Sequence, residues 1–380
     1  MLHGSCMGKP NDPRPKLASL ELGRCLAALY VLLAHLVPDV NAHAAPGAAP
    51  IWGWLGVTGG GAAIEYFFVL SGFVMACSHA QDFGQWRATP RFWWKRARRI
   101  YPMYWLALFI AIVLCGLHAG LTPGYTARLI TLAPGQINEL LPPAWTLRFE
   151  MTFYLMFGLC LLPYIGRPLL AAWIIATLWH WWPAAQLQFL HLPQQPALLV
   201  RLGMGPGIHF FSFLEFFFFA GLGAGWLFLS LPSGRWLSLG ITAAGILMTI
   251  ALRDVMNFGG PHPTIPMIAL VAITLAVLML GIAGLERHGI LRLPRAAIWA
   301  GIISYPLYIL HMALLTLLWQ HLPPFQLGST ALLLLFFASL IGIFTLTGLA
   351  AFLLDQPLQR WLRRWDRAKP APGTAREATA

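Results

Sequence analysis

The sequence predicts an all-α, polytopic integral membrane protein with about ten transmembrane helices and both termini in the cytoplasm. Of the 380 residues, 58% are apolar and only 10% are charged, less than half the charged share of an average soluble domain. The apolar residues form long continuous runs rather than the stripes of half-exposed elements. The basic residues, which give a net charge of +12, lie almost entirely between those runs, as is typical of membrane proteins.

This composition excludes several classes of protein. A soluble enzyme of this length needs more polar surface than the sequence contains, and a β-barrel needs short alternating segments. The placement of the basic residues indicates membrane topology rather than nucleic-acid binding. The five cysteines include no CxxC pair, so we interpret them as packing residues and expect no metal and no tightly bound cofactor.

Ten apolar runs approach the length of about 20 residues that a membrane helix needs. The first begins at Leu17 and carries Glu21 and Arg24, which is typical of a retained helix rather than a cleavable signal peptide. The fifth is the weakest because it is short and lies between Pro168 and Pro183. The predicted spans are 17–38, 55–77, 100–118, 145–163, 168–183, 210–229, 236–252, 265–285, 298–319 and 329–354.

The basic residues orient these spans. With the N-terminus inside, the inner segments contain 20 Lys and Arg residues and the outer loops contain three. This excess predicts that both termini are cytoplasmic. The protein itself is expected in the inner (cytoplasmic) membrane of the cell. The chain is accordingly divided into a cytoplasmic segment 1–16, a membrane domain 17–365 and a cytoplasmic tail 366–380, which we expect to be disordered.

Ionisable residues inside the predicted spans carry the functional information. A charge at bilayer depth costs at least about 2.5 kcal/mol on insertion scales, so such a residue is expected to function or to be paired within the bundle. The ionisable residues inside the predicted spans are Glu21, Arg24, His35, Glu65, Arg148, Glu150, Glu215 and His311. The sequence offers no motif for Glu215, which stays unassigned.

The first span places two of these residues on one helix face. Arg24 and His35 are eleven residues apart, almost three turns, which separates them by about 16 Å along the axis. Glu150 is predicted at a depth similar to that of His35, so its carboxylate could orient the imidazole and stabilise its protonated form. Alternatively, His35 lies at the interface and Glu150 neutralises Arg148. The residues alone leave both interpretations open.

A basic segment at 91–102, RFWWKRARRIYP, is predicted to be a cytoplasmic loop. One interpretation is anchoring, because basic and aromatic residues suit the headgroup zone of the inner leaflet. The other is a site for a phosphorylated donor, because guanidinium groups bind phosphate oxygens in pairs. The segment itself fits either role.

Six segments, taken together and in order, resemble the motifs of membrane-bound acyltransferase family 3, whose members O-acylate cell-surface polysaccharides. The resemblance covers about residues 17–365. The segments are LASLELGRCLAALYVLLAHL, with Arg24 and His35 at Arg-x10-His spacing; GAAIEYFFVLSGF, with Glu65 and Ser71; RARR, with Arg96 and Arg99; PAWTLRFEMTFYL, with Glu150; GIISYPLYILH, with Tyr305 and His311; and LLDQPLQRWLRR.

The resemblance implies an enzyme, an acyltransferase that moves groups other than amino-acyl groups. Its donor would be cytoplasmic acyl-CoA, with acetyl-CoA expected, and its acceptor a hydroxyl of an extracytoplasmic glycan, either surface polysaccharide or a lipid-linked precursor. The TLRFE variant resembles the exopolysaccharide-modifying branch. Beyond these substrates, the expected partner is the lipid bilayer.

The resemblance also implies roles for the motif residues. His35 would act as general base while Glu150 orients it, and transfer would be direct or pass through an acyl-histidine. The acyl-CoA site would contain Arg24, Arg96 and Arg99. The lining of the substrate site would contain Glu65, Ser71, Tyr305 and His311.

Three other classes compete with this interpretation. A secondary transporter would also bury carboxylates and histidines, but no inverted repeat is evident. A non-catalytic partner in polysaccharide assembly would not need every ionisable motif residue. An alginate-type membrane O-acyltransferase would place its histidine deep in a longer, differently spaced bundle.

Overall fold

A computed structural model of the chain describes residues 17–51, 61–115, 122–133, 140–189, 210–231, 234–252, 264–321 and 326–367. Within these ranges it contains helices and one isolated β-bridge between Ala44 and Leu327, which confirms the all-α class. The helices are α1 Ala18–Asn41, α2 Gly61–His79, α3 Ala88–Cys115, α4 Pro123–Thr131, α5 Ala144–Cys160, α6 Gly166–Phe189, α7 Leu214–Ser230, α8 Arg235–Ala251, α9 Ile265–Arg287, α10 Arg295–His321, α11 Ser329–Leu349, a π-helical turn Ala350–Asp355, and α12 Gln356–Arg367.

Each of the ten predicted spans overlaps one long helix, and α4 is an additional short helix within a predicted outer loop. Among the described residues, six helical segments are long and apolar enough to cross a membrane, and α7 and α8 are shorter apolar helices. The protein is therefore a helical membrane protein. The count of ten crossings and the cytoplasmic termini stay predictions, and residues 1–16 and 368–380 lie outside the described ranges.

The basic segment 91–102 is helical, which corrects the predicted loop: it forms the first turns of α3. Pro102 lies inside this helix and cannot donate to the carbonyl of Arg98. That carbonyl accepts instead from the Gln359 side chain at 2.8 Å. A tertiary hydrogen bond therefore satisfies the carbonyl that the proline leaves without a donor, and the helix continues through the proline.

Two further helices begin or end at residues other than those of the predicted spans. The fifth span is not the short segment 168–183, because α6 extends from Gly166 to Phe189. Pro168 lies in its first turn, where no intrahelical N–H is needed. The last span also continues beyond 354, through the π-helical turn into α12, which ends at Arg367, two residues inside the predicted tail.

Helix α2 packs against α7 with their backbones in direct contact. A Cβ atom at Gly72 would lie 2.0 Å from the carbonyl oxygen of Phe218, and one at Gly221 would lie 1.9 Å from that of Val69. Small residues permit this close approach in membrane bundles, where van der Waals packing is a main source of helix association.

Replacing Gly221 by alanine should therefore destabilise the bundle, because the added methyl group must push α2 and α7 apart. We expect Gly221→Ala to lower the free energy of unfolding by about 1–3 kcal/mol, measured as a lower Tm in lipid nanodiscs. Gly223 on the same helix is the matched control, since a Cβ there meets nothing within 4 Å. Equal Tm values for the two variants would contradict the observed α2–α7 contact.

The start of α1 is fixed to the end of α9. The backbone N–H groups of Ala18 and Ser19 donate to the Glu286 carboxylate at 2.7 and 2.8 Å. A carboxylate at a helix N-terminus satisfies unpaired donors and complements the helix dipole. This contact sets the position of α1, which carries both Arg24 and His35.

Candidate active site

The structure brings the three predicted donor-binding arginines together. Arg24 of α1 is close enough to interact electrostatically with Arg99 of α3, and Arg96 interacts with both of them. We call Arg24, Arg96 and Arg99 the arginine cluster. Three cations at this range repel one another, and the carboxylates beside them offset part of that repulsion.

Arg24 is held by an ion pair on α1 that packs against α10. Its Nη1 donates to the Glu21 carboxylate at 3.1 Å, one turn away on α1. The same carboxylate lies over Gly301, where a Cβ atom would come within 2.0 Å of Glu21 Oε2. The glycine that opens the segment GIISYPLYILH therefore makes room for this ion pair.

Arg96 lies between aromatic rings. Its guanidinium carbon is 5.3 Å from the centroid of Phe92 and 5.1 Å from that of Tyr154, within cation–π range. One Nη atom donates to Nε2 of His79 at 3.3 Å, and Nδ1 of His79 donates to the Asp82 carboxylate at 2.7 Å. Among the described residues, the buried Arg96 Nε has no hydrogen-bond partner.

Glu150 lies next to Arg96, with which it interacts electrostatically. Its Oε1 accepts from the Ser71 hydroxyl at 3.3 Å and from the Tyr154 hydroxyl. Tyr154 therefore joins Glu150 and the arginine cluster, a role that was not predicted from the sequence. The signal was present, because Tyr154 follows Glu150 by four residues and so shares its helix face.

The predicted pair of His35 and Glu150 is not observed. Within the described part of the chain, neither residue donates to or accepts from the other. Similar depth did not make them partners, because depth along a helix does not fix the direction of a side chain. The alternative pair with Arg148 is not observed either, since residues two apart point to different sides of a helix.

His35 instead faces His311 of α10. The two ring centroids are 5.4 Å apart and the planes are inclined by 33°. His311 is fully buried, and its Nδ1 lies 2.7 Å from the carbonyl of Tyr308. Nδ1 is therefore the protonated nitrogen and Nε2 the acceptor, and among the described residues that Nε2 has no hydrogen-bond partner.

A second carboxylate near His35 was also missed. Asp39 lies one turn further along α1 and interacts electrostatically with His35. The spacing of four residues was a sufficient signal for a shared helix face. His35 itself is exposed, whereas His311 is enclosed. His35 is therefore the more exposed of the two imidazoles.

Helix α10 links the arginine cluster to the histidines. Tyr305 donates to the carbonyl of Ile100 on α3 at 2.7 Å, beside Arg99. One turn further on, the Tyr308 hydroxyl lies 2.6 Å from that of Thr146 on α5. The face of α10 that carries Tyr305, Tyr308 and His311 is therefore polar along its length.

Two acidic residues complete the described surroundings. Asp355, in the π-helical turn, accepts from Gln359 at 3.3 Å and interacts electrostatically with Arg99. It belongs to the closing segment LLDQPLQRWLRR, and no role was predicted for it. Glu65 is buried in α2, and one of its carboxylate oxygens has no hydrogen-bond partner among the described residues.

This arrangement can bind an anion and accept a proton at separate places. Guanidinium groups bind phosphate oxygens in pairs, and imidazole is the side chain best suited to take a proton near neutral pH. The described residues contain no group of three His, Cys, Asp or Glu placed to hold a metal ion.

Comparison with known proteins bears on this chemistry. A family model described as an acyltransferase domain matches residues 17–349. The exopolysaccharide production protein ExoZ of Rhizobium meliloti (strain 1021) is 30% identical over 324 residues, which cover 79% of this chain and 90% of ExoZ. No solved structure matches the chain.

Proposed function

The chain belongs to the acyltransferase 3 family, and from this premise we propose that it moves an acetyl group from cytoplasmic acetyl-CoA to a hydroxyl of an extracytoplasmic glycan. It is a membrane acyltransferase by family. The name of its relative ExoZ, a protein of exopolysaccharide production, supports an exopolysaccharide or its lipid-linked precursor as the acceptor. The cell's inner membrane is the proposed location.

The arginine cluster is the proposed donor site. The phosphates of acyl-CoA carry several negative charges, and Arg24, Arg96 and Arg99 offer forked donors that lie close together. Glu150 supports this site by holding the Tyr154 hydroxyl, whose ring packs against Arg96. We therefore propose that Glu150 is a positioning residue at the donor site rather than the partner of His35.

His35 is the proposed general base. It takes the proton of the glycan hydroxyl as that oxygen attacks the thioester carbonyl carbon. The carbon–sulfur bond breaks, and the departing thiolate takes up the proton to give free CoA and the glycan ester. Asp39 interacts electrostatically with His35 and would stabilise the imidazolium that forms.

One observation carries this proposal. A single helix, α1, places Arg24 in the arginine cluster and, about 16 Å away along its axis, places His35 against His311. The thioester of CoA is separated from its phosphates by the extended pantetheine arm. A donor whose phosphates bind at the cluster could therefore present its thioester toward His35.

Transfer of label from acetyl-CoA is the direct test. Purified protein in lipid nanodiscs is given [14C]acetyl-CoA and exopolysaccharide from the cells that produce the protein. It should transfer label to the polysaccharide as a base-labile ester. Direct transfer predicts no stable label on the protein when the polysaccharide is omitted. Label on the protein under those conditions would establish an acyl-enzyme, and no label on any glycan would overturn the proposed function.

A further inference from the structure

Arg148 of α5 is the most unusual charge in the described part of the protein. Its side chain is only 2% exposed, and its Nε and Nη1 atoms have no hydrogen-bond partner among the described residues. A guanidinium cannot lose its proton in a protein, and an unpaired buried charge is strongly unfavourable. The fold therefore buries a cation without a described counter-ion.

The carboxylates near Arg148 in the described part of the chain do not supply that counter-ion. Glu150 is two residues along α5 and points to a different side of the helix, where it accepts from Ser71 and Tyr154. The groups that interact electrostatically with Arg148 are Tyr104, Tyr125 and a second cation, Arg128. Arg128 increases the positive potential at this place rather than neutralising it.

The surroundings of Arg148 are held in place by aromatic donors. Helix α4, which carries Tyr125 and Arg128, ends against α3. The backbone carbonyls of residues 129–131 accept from Tyr104, from Trp105 at 2.9 Å and from Tyr101 at 2.7 Å. These contacts satisfy the last carbonyls of α4. They also fix the helix whose Tyr125 and Arg128 interact electrostatically with Arg148.

We propose that Arg148 and Arg128 bind an oxyanion of the acceptor and thereby select an acidic glycan. The oxyanion is a carboxylate of an acidic sugar or a phosphate of the lipid-linked precursor, since a guanidinium fork fits both groups. This inference rests on the proposed function and extends it, because it assigns an acceptor site to residues outside the arginine cluster and the histidines.

The location favours the acceptor over the donor. Arg148 lies in the first turns of α5, and Arg128 lies in a segment that the charge distribution places outside the membrane. Neither Arg96 nor Arg99 is among the groups that interact with Arg148. The anion bound here would therefore differ from the phosphates bound at the arginine cluster.

Carboxyl-reduced polysaccharide tests this proposal. In the nanodisc assay, Arg148→Gln should raise the KM for native acidic polysaccharide by about tenfold or more, the usual effect of losing a charged hydrogen bond. It should leave the KM for acetyl-CoA unchanged, and Arg148→Lys should restore part of the loss. On polysaccharide whose carboxylates have been reduced to alcohols, wild type and Arg148→Gln should become equal.

Each outcome either identifies the bound oxyanion as a carboxylate or a phosphate, or contradicts the proposal. If phosphatase treatment of the lipid-linked precursor, rather than carboxyl reduction, removes the difference between wild type and Arg148→Gln, the bound group is a phosphate. Equal KM values on the native acceptor would overturn the inference while leaving acetyl transfer, and so the proposed function, intact. Glu139, outside the described residues, is the nearest acid preceding Arg148. If Glu139→Gln reproduces the Arg148→Gln defect, a counter-ion within the chain replaces the proposed ligand.

Discussion

Replacing His35 by asparagine should reduce acetyl transfer by about 10²- to 10⁴-fold, the usual contribution of a general base. Asparagine keeps a polar side chain of similar size but cannot take the hydroxyl proton. The kcat should fall while the KM for acetyl-CoA stays near the wild-type value, because the donor phosphates bind at the arginine cluster. Initial rates of label transfer at saturating acetyl-CoA measure this effect.

A second histidine supplies the control for this substitution. His288 is exposed at the end of α9 and follows the helix that anchors α1. His288→Asn should transfer label at the wild-type rate and show the same Tm. If His35→Asn keeps wild-type kcat at an equal amount of folded protein, His35 is not the base, and the proton acceptor must be sought elsewhere on α1 or α10.

Replacing Arg96 by glutamine should raise the KM for acetyl-CoA by about tenfold or more, because a charged hydrogen bond to the donor phosphates is lost. Arg96 is the most constrained member of the arginine cluster, held between Phe92 and Tyr154 and bonded to His79. Added salt should weaken acetyl-CoA binding to wild type more than to the variant. Binding of desulfo-CoA, measured calorimetrically in nanodiscs, gives the affinity without turnover.

Lys95→Gln is the matched control, because it removes one charge from the same turn of α3. The Lys95 side chain is exposed. If the basic segment only anchors the helix at the inner leaflet, Lys95→Gln and Arg96→Gln should have equal and small effects on acetyl-CoA. If the segment contains the donor site, only Arg96→Gln should raise the KM. Equal effects of the two substitutions on the KM would favour the interpretation that the segment only anchors the helix.

The sequence was sufficient to predict the class, a helical membrane protein. Long apolar runs specify membrane helices whatever their neighbours are, because the bilayer requires every backbone group to be satisfied within the helix. The helix boundaries were less predictable. Five of the nine residues 91–99 are basic, so they resembled a loop, and the carbonyl that Pro102 leaves without a donor is satisfied by Gln359, which is about 260 residues away.

The helix face that a predicted site residue shares with others was predictable, but its partners on other helices were not. Spacing within one helix placed Arg24 and His35 on a common face, and four-residue spacing could have indicated Tyr154 and Asp39. Contacts between helices depend on how each helix is rotated about its axis, which the sequence does not specify. For this reason the predicted partner of His35 was Glu150, whereas the structure shows His311 beside it and Glu150 beside Tyr154.

Sidedness is the property that most directly tests the proposed function. Proteoliposomes with the protein in one orientation would receive [14C]acetyl-CoA only at the arginine-cluster side, with the polysaccharide enclosed on the opposite side. The proposal predicts labelled polysaccharide in vesicles with wild-type protein and background label with His35→Asn. Label that appears only when both substrates are on the same side of the membrane would contradict transfer across the bilayer.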